Sequence, residues 1–121
     1  MRKGADAYDD TAKVTMPPRE LEASLLLKAA ARLQAAQDNW NCNSQEFVDA
    51  LNYNRRLWTI FASAVAEESS PLPIELKNNV ATLGVFVFRH SLELQREPAP
   101  EKMMPLININ KEIAAGLNKA A

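Results

Sequence analysis

The chain has 121 residues, 47% apolar and 24% charged, a composition and length that suit one soluble domain able to bury roughly two thirds of its unfolded surface without a staple. A formal net charge of −1 supplies no positive field to gather phosphates, which argues against nucleic acid as the main partner. Cys42 and His90 are the only residues of their types, which excludes an internal disulfide and the usual Cys/His zinc site.

Residues 1–16 are polar, carry both signs of charge and run into the doublet Pro17-Pro18. They read as a loosely ordered arm ahead of a helical domain over residues 17–121. No apolar segment of secretory-signal length follows the basic start. From Arg19 the apolar positions Leu21, Leu25, Ala29, Leu33, Ala36 and Trp40 recur at steps of four and three, which predicts a first helix. The asparagine-rich stretch Asp38 to Ser44 then interrupts it, because short polar side chains compete for the backbone. Asn43 with Glu46 three residues later, or Ser44 alone, can cap a second helix over Gln45 to Ala66.

On a wheel of 100° per residue, Phe47, Trp58, Phe61, Ala62 and Val65 fall within about 80° of Leu51 and mark the buried face of this second helix. Trp58 reads as core. Arg55 lies at the border of the arc and Arg56 well round on the other side, so the pair makes a poor phosphate clamp. Asn54 sits inside the apolar arc, where its amide either fixes helix register or marks a face that opens to a ligand.

Prolines at 71 and 73 stop this helix and start a third, from about Pro73 to Arg96, with Leu76, Val80, Leu83, Val87, Ser91 and Leu94 in register. Its segment VATLGVFVF, Val80 to Phe88, has no charge on any face, so the third helix is expected to be central and covered on most sides. Strand is the competing reading of that segment, overruled by the helical period on both flanks. Gly84 costs about 1 kcal/mol relative to alanine inside a helix, with close approach of a neighbouring helix as the expected compensation. The longest uncharged apolar stretch, Asn78 to Phe88, is well short of the ~20 residues of a membrane span, so no membrane insertion is expected.

A proline-rich link, Glu97 to Pro105, leads to a fourth helix from about Pro105, with Leu106, Ile109, Ile113 and Leu117 on one face. The fold class is therefore all-α: a small single-domain bundle of about four main helices. Met103, Met104, Leu106, Ile107 and Ile109 form an apolar cluster that either closes the fourth helix onto the core or offers an adaptable binding surface. The candidate protein-binding positions are Asn54, Arg55, Met103, Met104, Leu106, Ile107 and Asn110. No catalytic activity and no cofactor are expected. Adjacent His90 and Ser91 face about 100° apart on a helix, and three scattered glycines build no phosphate loop.

The blocks RRLWTIF (Arg55 to Phe61), LPIELKNNVATLGVFV (Leu72 to Val87) and LININKEIAAGL (Leu106 to Leu117) resemble, in order and spacing, the recurring segments of the flagellar biosynthesis regulator family FlaF. The stretch from Ala7 to Leu33 resembles that family's beginning in its Ala-Tyr pair and its RELEA motif, Arg19 to Ala23, while Met1 to Asp6 reads as a variable start. The resemblance implies a cytoplasmic helical protein that binds flagellin as a chaperone and supports flagellin synthesis and export, with the regulator FlbT as a further partner. Flagellin subunits end in long amphipathic helices that stay unpaired until assembly, and a helical bundle can offer a groove that takes such an apolar face. The alternative is a post-transcriptional regulator touching flagellin mRNA through Arg55, Arg56, Lys77, Arg89 and Arg96, which the charge balance and the lack of interleaved exposed aromatics disfavour. Physically, the apolar stripes are expected to exceed what four helices can hide, leaving a surplus for another protein's helix to cover.

Overall fold

A computed structural model describes residues 18–120; the arm expected over residues 1–16 lies outside them. Four helices follow in order: α1 (Pro18–Asp38), α2 (Gln45–Ala66), α3 (Ile74–Arg96) and α4 (Met104–Ala120), the last entered through a 3-10 turn at Pro100–Met103. No strand occurs among the described residues, so VATLGVFVF and LININ are both helical. Ser44 caps α2: its backbone is extended and its hydroxyl accepts from the Phe47 N–H at 3.2 Å. At the other end of α2 the Lys77 ammonium donates to the Glu67 carbonyl at 3.1 Å, a cation placed on the carbonyl-rich terminus. Pro73 caps α3 through its backbone alone, its carbonyl accepting from the Lys77 N–H at 3.1 Å.

Short links make each helix antiparallel to the next, giving an up-and-down bundle. The helix at its centre is α1, which packs most extensively on α4 and also on α2. Alanines make this possible. Ala23, Ala29, Ala30 and Ala36 are buried with Leu26 and Leu33, and their small side chains let two neighbours approach at once. The buried face therefore sits further round the helix than the leucine spacing predicts; Leu21, Leu25 and Trp40 are only half-buried. Trp40 meets the Phe47 ring edge-on, with centroids 5.1 Å apart.

The expectation that α3 is the central helix is wrong. It packs on α2, has only slight contact with α4, and presents Ile74, Val85, Phe86, Phe88 and Leu92 to solvent. An uncharged helix surface predicts cover on most sides, whereas α3 buries one narrow face (Val80, Gly84, Val87, Ser91, Leu94) and leaves apolar side chains standing on the others. Gly84 does lie against α2: a Cβ built there would meet the Ala62 Cβ at 3.7 Å and the Trp58 ring at 3.9 Å, both ordinary contact distances.

Candidate protein-binding face

Asn54 and Asn110 belong to one buried polar cluster that joins three helices. The indole N–H of Trp58 donates to Asn110 Oδ1 at 2.8 Å. Asn110 Nδ2 donates to Asn54 Oδ1 at 2.7 Å and to the Leu26 carbonyl of α1 at 3.3 Å. The indole can only donate, so it orients the Asn110 amide, which in turn requires the Asn54 oxygen to face it. The consequence is an Asn54 Nδ2 group that is buried and has no partner. Both asparagines and the tryptophan are fully buried, so this cluster sets how α1, α2 and α4 meet.

Met103, Leu106 and Ile107 are likewise fully buried and close the 3-10 turn and α4 onto the core. Of the seven positions singled out in the sequence, Arg55 and Met104 alone reach the surface. Arg55 stands at the border of the buried arc of α2, and Arg56 is exposed beyond it. Together with Asn52, Thr59 and Ile60 of α2 and Phe88 of α3, they line a groove of ≈ 360 Å³.

Phe88 of this groove belongs to a longer apolar row on α3. Ile74, Ala81, Val85, Phe88 and Leu92 follow one another at steps of seven, four, three and four, so they share one helical face. Exposure reaches 68% at Ile74, 53% at Val85 and 60% at Leu92, and across the groove Ile60 of α2 is 65% exposed. Such a run of large apolar side chains is more than scattered surface hydrophobicity and is a candidate interaction face. The sequence reading missed these residues, although their signal was present: α3 carries two parallel apolar rows, and one outer helix has only one row to bury.

The far end of α3 is fastened by charge. Lys102 of the 3-10 turn donates to Glu93 Oε2 at 3.0 Å and to the Glu97 carbonyl at 3.0 Å, and Arg96 also pairs with Glu93. Hydrogen bonds from Lys102 and Arg96 lower the Glu93 pKa to about 2. His90 reinforces the clasp, with Nε2 2.6 Å from the Lys102 carbonyl, and its ring stacks on Phe86 at 5.1 Å. A carbonyl only accepts, so His90 carries its proton on Nε2 and that nitrogen is committed. The Ser91 hydroxyl donates to the Val87 carbonyl at 2.6 Å, so the two adjacent residues serve separate backbone contacts. Among the described residues, no group of three or more His, Cys, Asp or Glu side chains converges, and no helix is long and apolar enough to cross a membrane.

Against known proteins, a family model described as flagellar protein FlaF matches residues 4–117. No curated protein and no solved structure gives a significant match.

Proposed function

The chain belongs to the FlaF family of flagellar proteins, and from that premise we propose that it binds flagellin in the cytoplasm as a chaperone-like partner and so supports flagellin synthesis and export. The observation that carries the reading is the uncovered apolar row of α3 with Ile60 opposite it. A bundle that leaves a row of valine, phenylalanine and leucine in water has an available face for the apolar side of another helix. Shielding an amphipathic terminal helix in this way keeps an unassembled filament subunit from associating early. A direct role on mRNA draws no support from the chain's formal net charge of −1, and the groove that Arg55 and Arg56 share is walled by Ile60 and Phe88 and not by further cations.

Titration calorimetry with purified flagellin, and with flagellin lacking both terminal segments, tests the proposal. Saturable binding to intact flagellin and none to the truncated form is the expected result. No binding to intact flagellin overturns the reading, and equal binding to both forms removes the terminal helices from it.

A further inference from the structure

We propose that the groove between α2 and α3, lined by Ile60 and Phe88 and prolonged on α3 by the exposed Val85 and Leu92 of the same helical face, receives a single amphipathic helix whose apolar seam is flanked by carboxylates. The partner's identity as flagellin rests on the function proposed above; the chemistry of the docking helix does not.

The spacing of the row supports a helix as the occupant. Ala81, Val85, Phe88 and Leu92 alternate at four, three and four, the pattern of the a and d positions of a coiled-coil seam. The inner seam of α3 (Val80, Gly84, Val87, Ser91, Leu94) has the same alternation and is already packed in the bundle. The outer one extends over roughly 16 Å at 1.5 Å per residue, about three turns of a docked helix. Ile60 and Thr59 of α2 supply the second wall, which makes the surface a trough rather than a ridge.

Charge defines the flanks. Arg55 and Arg56 border the trough on the α2 side, and Arg89, one residue beyond Phe88, flanks it on α3. No carboxylate lines the groove, and none of these three guanidinium groups forms an ion pair among the described residues. A neutral or basic helix laid over the apolar floor would strip water from unpaired cations, whereas carboxylates at the flanking positions of a seam pair with them. The same argument disfavours a second copy of this chain, because a symmetric pair would bring two sets of arginines together.

Two synthetic peptides with the same leucine spacing, one flanked by glutamates and the other by lysines, test the proposal on the full chain by titration calorimetry and amide chemical shifts. The glutamate peptide is expected to bind at least tenfold more tightly and to shift residues 52–60 and 81–92. Phe88→Asp and Ile60→Asp are expected to lose that binding tenfold or more. Leu27→Asp, on the exposed side of α1, is expected to retain it, with all three variants keeping wild-type helicity. Joint Arg55→Glu and Arg56→Glu substitution should narrow or reverse the preference between peptides. Equal affinity for both peptides, binding of neither, shifts confined to other helices, or a dimer of this chain that Phe88→Asp dissolves would each overturn the proposal. If flagellin fails to bind while the glutamate peptide docks here, the flagellin reading falls and the groove stands. If flagellin binds wild type and Phe88→Asp alike, the groove falls and the flagellin reading stands.

Discussion

At the scale of single residues, the amide pair Asn54 and Asn110 shows how unequal two similar side chains become once buried. Truncating Asn110 to alanine strands the Trp58 indole N–H and the Asn54 oxygen together. Truncating Asn54 removes an amide that already has an unpartnered nitrogen, and Asn110 keeps Leu26 and Trp58 as partners. Each stranded buried group costs about 1–3 kcal/mol, so Asn110→Ala is expected to destabilise the fold by at least ~1 kcal/mol more than Asn54→Ala in urea unfolding. Equal losses would show that the cluster does not hold the bundle as described. The position of Asn54 and Trp58 on the inner arc of α2 was legible from helical period. Their partner was not, because it lies in α4, 56 residues from Asn54, and pairing over that distance depends on which helices meet.

At the scale of elements, α3 is held on one side by close packing and at one end by charge. Gly84 packs against α2, yet a methyl group there meets only ordinary contacts at 3.7 and 3.9 Å. Gly84→Ala is therefore expected to raise stability by about 0.5–1 kcal/mol through lower backbone entropy in the unfolded chain, read as a higher midpoint in thermal melting. A loss would mean that α2 and α3 approach more closely at Gly84 than these contacts show. The clasp on Glu93 has a pH signature. Its carboxyl titrates near 2 in the folded protein against an ordinary 4.5, so its contribution is complete above 4.5 and disappears as pH falls through about 2. The gap in urea midpoint between wild type and Glu93→Gln should thus hold steady from neutral pH to about 5 and close on further acidification. A gap as wide at pH 2 as at neutral pH would assign the effect to packing instead. The helix itself, Ile74–Arg96, was readable from its prolines and its period. Its place in the bundle was not, since an uncharged surface is compatible with either complete burial or a second exposed seam.

At the scale of the molecule, the distribution of apolar side chains separates stability from interaction. Leu33 lies in the centre of the bundle and Leu92 in the outer row. Leu33→Ala is expected to cost about 2–5 kcal/mol by the cavity it leaves, and Leu92→Ala to stay within ~0.5 kcal/mol of wild type in the same denaturant series. A large loss at Leu92 would place the outer row in the core. What the sequence by itself determined is the number and extent of the helices and the inner faces of α2 and α3, because helical period, capping residues and prolines act over a few neighbouring positions. Membership of FlaF was legible in the same way, carried by the order and spacing of short blocks. Which helix stands at the centre was decided by tertiary structure alone. Alanines at 23, 29, 30 and 36 carry little hydrophobic weight in a sequence, yet their small size lets α1 sit between α2 and α4, and that arrangement leaves α3 outside with one apolar seam uncovered.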